Sequence, residues 1–171
     1  MRVFGFAGWS GSGKTTLIEQ VIPRLVTGGL AVSLVKHAHH AFDVDQPGKD
    51  SYRHRQAGCS EVLVTSGVRW ALQHELRGEA EMTLPRALAR LSPCDLALVE
   101  GFKAYPLPKL EIWRAAVGKP LLHPQDAHIL AIATDDPLSV ASARIPAFRL
   151  DALDEIATFI HSHAGRWPTA D

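Results

Sequence analysis

Gly8-Trp9-Ser10-Gly11-Ser12-Gly13-Lys14-Thr15, or GWSGSGKT, is the stretch that decides the fold of this 171-residue chain. It fits G-x-x-x-x-G-K-[ST], with Gly8, Gly13, Lys14 and Thr15 at the four fixed positions. A nucleoside di- or triphosphate carries several negative charges that must leave water together. Such a loop meets them with successive backbone N–H groups that converge on a helix N-terminus. The octet Gly8 to Thr15 is therefore the candidate phosphate-binding loop. Lys14 adds a point charge for the β- and γ-phosphates and so a catalytic role, while the Thr15 hydroxyl offers an oxygen to Mg²⁺.

The flanks have the order that this motif requires. Residues 2–7 (RVFGFA) form an apolar run that ends at Gly8, and residues 16–27 carry Leu17, Ile18, Val21, Ile22, Leu25 and Val26 at helical spacing. Residues 31–36, 61–65, 95–99, 109–114, 129–134 and 147–150 read as further strands. Helices are expected over residues 50–58, 83–91 and 151–164, with Thr83 and Asp151 as caps. After Ser66-Gly67 the alternation over residues 68–76 predicts the second arm of a hairpin. The expectation is an α/β chain with a three-layer P-loop NTPase fold, whose mostly parallel sheet has an antiparallel hairpin edge. One nucleotide-binding domain is expected over residues 1–164, with residues 165–171 as a loose tail.

Composition narrows the function. Lys plus Arg number 18 and Asp plus Glu number 18, so no broad basic surface for nucleic acid is implied. The phosphates are expected on a small molecule. Cys59 and Cys94 are too few for a disulfide framework, the N-terminus lacks the apolar core of a signal peptide, and no apolar run approaches the ~20 residues of a membrane span. A soluble, cytoplasmic protein is the expectation.

Beyond the loop, Glu100 closes an apolar strand at the sheet end where the loop opens. It reads as a Mg²⁺ ligand, direct or through a water, or else as a solvated acid in a turn. Asp43, Asp45, Lys49 and Asp50 occupy the loop after the second strand. There Asp45 and Asp50 are catalytic candidates that orient a water or a Mg²⁺ shell, the other reading being a solvated loop. His37, His39, His40 and Cys59 lack the spacing of a structural zinc site. Asp135 is a candidate base reader, because guanine presents N1–H and N2–H₂ as adjacent donors where adenine presents an acceptor at N1. Its other reading is a cap for the turn before Pro137. Phe102, Tyr105, Leu107, Leu110 and Trp113 surround two prolines and suggest a self-complementary homodimer patch, unless they fold into their own core. A small-molecule kinase is the alternative function, with Arg53 and Arg55 as lid residues.

Three stretches together, Gly8 to Thr16, KHAHHAFDVDQPGKDSYRHRQAG (residues 36–58) and LVEGFK (residues 98–103), carry a resemblance. The chain resembles the molybdopterin-guanine dinucleotide biosynthesis protein B family over nearly its whole length. That family carries AWSGSGKTT, K-H-x-H-H-x-F-D-x-D-x-P-G-K-D-S and V-E-G-F-K in this order, then a strand ending in Ser/Thr-Asp like Ala133 to Asp135. The middle motif is far more specific than the phosphate loop. The resemblance implies a homodimeric, weakly GTP-hydrolysing P-loop protein that assists a molybdopterin guanylyltransferase, with GTP and Mg²⁺ as cofactors and molybdopterin as a further candidate ligand. It also implies that Ser10 to Thr16 hold phosphates, that Thr15 and Glu100 serve Mg²⁺, and that residues 45–51 lie near the nucleotide or the partner.

Overall fold

The computed structural model describes residues 1–38 and 42–168, and the chain divides into two units. In chain order the elements are β1 (Arg2–Ala7), α1 (Lys14–Thr27), β2 (Val32–Lys36), α2 (Asp50–Gln56), β3 (Glu61–Thr65), β4 (Trp70–His74) and α3 (Leu84–Leu88). There follow β5 (Leu96–Glu100), β6 (Lys109–Trp113), β7 (Ile129–Thr134), β8 (Ala147–Arg149), α4 (Leu153–His163) and β9 (Gly165–Arg166). Elements α2, β3 and β4 belong to the smaller unit, residues 38–83, and all others to the larger.

The larger unit is built on a sheet of order β2-β5-β1-β6-β7-β8, in which every one of these neighbours is parallel. Strand order reverses at β1, with β5 on one side and β6 on the other. The crevice for a ligand therefore opens beyond the carboxyl end of β1, where the glycine loop begins. The alternation of side chains sorts the core into two faces. Phe4 and Phe6 of β1, with Leu96 and Leu98 of β5, pack against Leu17, Val21 and Leu25 of α1 and Ile156 and Ile160 of α4. Val3, Ala97 and Val99 point the other way, onto Leu84 and Leu88 of the short α3. Each such buried Val, Leu, Ile or Phe contributes about 1.5–3 kcal/mol against exposure. Helices on both faces of a mostly parallel sheet give the α/β, three-layer arrangement.

Three expectations differ in detail. The hairpin does not edge the main sheet; β3 and β4 form a separate two-stranded sheet, with Glu61 opposite His74 and Thr65 opposite Trp70. Alternation identifies a strand but not the sheet that it joins. By its contacts the chain forms two compact units, residues 1–37 with 84–171 and residues 38–83. The expected tail begins as strand β9, antiparallel to β1 at Arg2 and Val3, where β6 leaves the edge open because its own pairing starts at Gly5. Asp151 does not cap α4: Ala152 holds that position, and both Asp151 oxygens accept from Arg149 at 3.0 Å.

The smaller unit has little apolar core, and helix α2 buries none of its side chains. Arg55 organises it instead. Its guanidinium donates to Glu75 at 2.5 Å, to both oxygens of Asp43 at 2.7 and 2.6 Å, and to Asp45 at 3.2 Å. These bonds raise the Arg55 pKa further and hold the Asp43 carboxyl below its usual range. Leu63, Val64, Val68, Trp70 and Leu72 of the hairpin remain exposed, Val68 at 85% and Trp70 at 65%.

Candidate functional site

The loop between β1 and α1 is shaped by positions that tolerate no side chain. Gly8 has φ +145°, and a Cβ there would stand 2.5 Å from the Ile112 carbonyl oxygen. Gly13, at the N-terminus of α1, takes the left-handed conformation with φ +90°. Both conformations are costly for any other residue. The first helical residue is Lys14, two residues ahead of the expected start, because the loop feeds α1 directly.

Lys14 Nζ donates to the carbonyls of Gly8 at 3.0 Å and Trp9 at 2.8 Å. The loop thus holds its own ammonium across its mouth. Burial lowers the Lys14 pKa, Lys103 and Lys36 add to that, and Glu100 opposes it. Ser12 is 1% exposed, and its hydroxyl is buried without a hydrogen-bond partner. A buried polar atom left in this state is what an incoming acceptor relieves.

Glu100 ends β5 in register with Phe6 of β1 and Lys36 of β2. Its Oε1 accepts from the Thr15 hydroxyl at 3.2 Å, and its Oε2 lies 3.4 Å from Lys36 Nζ. Two oxygen donors side by side at a phosphate loop fit a hard divalent cation such as Mg²⁺. The turn after Glu100 is tight: Gly101 has φ +94°, and a Cβ on it would stand 2.7 Å from that of His37. His37 also packs its ring on Phe102, with centroids 4.7 Å apart. His39 and His40 lie outside the described residues.

Trp9 of the loop donates its indole N–H to the Pro120 carbonyl at 2.8 Å, and the ammoniums of Lys103 and Lys119 lie 5.6 and 5.9 Å from its ring centre. Asp135 follows β7 at the same end of the sheet and is 45% exposed. The residue that caps the next turn is its neighbour Asp136, which accepts from the Ser139 N–H. The capping alternative for Asp135 therefore falls to Asp136.

The remaining candidates sit in the smaller unit. Asp45 accepts from Ser51 at 2.8 Å and from Arg55 at 3.2 Å, so both of its oxygens are engaged. Asp50 is the first residue of α2 and is exposed, as is Lys49 before it. Arg55 is enclosed by three carboxylates, which leaves the lid role of the kinase alternative without its guanidinium. The apolar residues around Pro106 and Pro108 are shared between core and surface, with Phe102, Tyr105 and Trp113 half-buried. Leu107 and Leu110 are buried, while Phe102 and Tyr105 pack against the α3 side of the core. Residues 109–113 are the interior strand β6, and an interior strand is apolar for its own fold.

Residues 3–135 match the family described as molybdopterin guanine dinucleotide synthesis protein B. The chain belongs to that family. It is 40% identical over 161 residues to the Escherichia coli (strain K12) molybdopterin-guanine dinucleotide biosynthesis adapter protein, covering 92% of this chain and 90% of that one. The Haemophilus influenzae protein of the same description is 38% identical over 170 residues, covering 96% of this chain and 93% of the relative. Among solved structures, a molybdopterin-guanine biosynthesis protein B (mobB) superposes with TM-score 0.70 at 28% identity, over 94% of this chain and 98% of that one. Bacillus subtilis MobB has the same fold, with TM-score 0.74 at 23% identity, covering 98% of this chain and 100% of that one. The MobB match thus runs from β1 through the end of β7, and it includes the loop, Glu100 and Asp135.

Proposed function

We propose that this chain is a GTP-binding, weakly GTP-hydrolysing accessory protein of molybdenum cofactor biosynthesis, which assists a guanylyltransferase in converting molybdopterin to molybdopterin guanine dinucleotide. The observation that carries the nucleotide half is the Thr15–Glu100 contact of 3.2 Å beside the glycine loop. The relatives' description as adapter proteins supports the other half. In this reading the backbone of Ser10 to Thr16 holds the phosphates, Lys14 moves from the loop carbonyls to the phosphate oxygens, and the Ser12 hydroxyl finds its acceptor. Thr15 and Glu100 would hold Mg²⁺, which would supply charge neutralisation to the phosphates. Asp135 accepts the two guanine donors. Residues 45–51, with Asp45 and Asp50, serve the nucleotide or the partner protein. Molybdopterin is a second candidate ligand.

The test is reconstitution. A guanylyltransferase given molybdopterin and limiting GTP should yield more of the guanine dinucleotide when this chain is present; an unchanged yield at every GTP concentration contradicts the adapter role.

The same proposal includes a homodimer and a cytoplasmic location. Both cysteines are free, as a reducing compartment requires. Among the described residues no helix is long and apolar enough to cross a membrane. The dimer contact falls to the hairpin, whose Leu63, Val68 and Trp70 are exposed beyond what an isolated two-stranded sheet sustains. Light scattering at micromolar concentration should report two chains, and Trp70→Glu should shift the mass toward one. A parent monomer at every concentration removes the dimer from the account.

A further inference from the structure

The loop's own residues do not account for one cation at its edge. Arg114 directly follows β6, which lies beside the carboxyl end of β1 with Glu111 opposite Ala7. Its guanidinium lies against Gly13: a Cβ built on that glycine would stand 3.4 Å from Nη2 and 3.5 Å from Nε. On its other flank Asp135 Oδ2 is 4.0 Å from Nε, an ion pair too long for a hydrogen bond. Arg114 Nε is buried without a hydrogen-bond partner, although the side chain as a whole is 40% exposed.

This arrangement is electrostatically incomplete. Gly13 is the N-terminal cap of α1, and a helix N-terminus carries about half a positive charge. The Lys14 ammonium stands in the same turn. A guanidinium there meets that positive helix end and one carboxylate at the limit of pairing distance. An anion at the loop reverses that balance, and a phosphate suits a guanidinium best, because two N–H groups can face two oxygens. Gly13, which carries no side chain, allows the guanidinium its close approach to the loop.

We propose that Arg114 is a phosphate-binding residue of the nucleotide site, supplying a second cation beside Lys14 to a nucleoside di- or triphosphate. The inference rests on the nucleotide reading above and adds a residue that neither the motif nor the resemblance assigns.

Calorimetric titrations of GTP, GDP and ATP, each with Mg²⁺, into the parent, Arg114→Gln, Arg114→Lys and Lys14→Ala decide it. Arg114→Gln should weaken GTP and GDP at least tenfold and ATP by the same factor, so that the ratio of GTP to ATP affinity stays within twofold. Arg114→Lys should fall between the parent and Arg114→Gln. Thermal melts should keep both variants within a few degrees of the parent, since the side chain makes no hydrogen bond that holds the fold, only the 4.0 Å approach to Asp135. If Arg114→Gln binds GTP within twofold of the parent while Lys14→Ala does not, the inference is wrong and the nucleotide site stands. A loss confined to guanine nucleotides places Arg114 at the base and overturns the phosphate role. A parent that binds no nucleotide overturns both.

Discussion

Lys14→Ala is expected to weaken Mg²⁺-GTP at least tenfold while leaving the fold in place. The ammonium is already aimed across the loop, bonded to the Gly8 and Trp9 carbonyls at 3.0 and 2.8 Å. Lys36, the nearby alternative, is paired with Glu100 at 3.4 Å. Removing one charge-assisted contact to phosphate costs about 1.4 kcal/mol or more, which is the tenfold. The fold should survive for a reason of sign. Burial lowers the Lys14 pKa, so the folded chain holds this proton less firmly than the unfolded one, and the charged form costs stability at any pH below the lowered value. Alanine removes that cost and is a good residue for the first turn of α1. Titration calorimetry with a parallel thermal melt checks both halves. Parent-like GTP affinity in the variant places the triphosphate somewhere other than this loop.

The loop, its strand and its helix were legible because all three are contiguous: an apolar run, a fixed glycine-lysine spacing and a helical stripe need no distant partner. Glu100 was legible for a related reason, since an acid that ends a buried strand must emerge at the same sheet end as the loop. The structure brings its carboxylate to the Thr15 hydroxyl across 85 residues of sequence. What was not legible depends on long-range neighbours. Glu111 sits inside an apolar strand, is fully buried, and accepts from the backbone N–H groups of Leu122 at 2.7 Å and His123 at 3.0 Å. Burial raises its pKa and those two donors pull it back. Its bonds anchor the segment next to Pro120, whose carbonyl holds the Trp9 indole. No local pattern announces this, because the partners are backbone atoms 11 and 12 residues away. Arg114 was missed likewise, its surroundings being a glycine and an acid from two other elements.

The apolar residues around Pro106 and Pro108 failed in the opposite direction. Their hydrophobicity was plain, but whether it faced solvent or core depended on β6 lying between β1 and β7. On the hairpin, by contrast, Leu63, Val64, Val68, Trp70 and Leu72 are exposed, although the alternation of its strands reads like any half-buried pair.

Asp135→Asn tests the proposed guanine nucleotide site of the loop, Thr15, Glu100 and Asp135 through chemistry that no general loss of structure can imitate. Asp135 is 45% exposed at the end of β7, and the turn after it is capped by Asp136, so its carboxylate is not committed to that cap. A carboxylate accepts both guanine donors, N1–H and N2–H₂. Facing adenine it meets the N1 lone pair and stays unsatisfied, which costs at least ~1.4 kcal/mol, or tenfold. Asparagine can still accept one donor, but its amide N–H also suits xanthine, whose C2 oxygen the carboxylate repels. The measurement is competition titration of GTP, ATP and XTP, each with Mg²⁺, into the parent and the variant. The parent should take GTP at least tenfold more tightly than ATP, and the variant should bind GTP less tightly and XTP more tightly than the parent. Identical affinities for all three nucleotides in both proteins contradict a guanine site at Asp135, and a parent that binds none of them contradicts the account at its root.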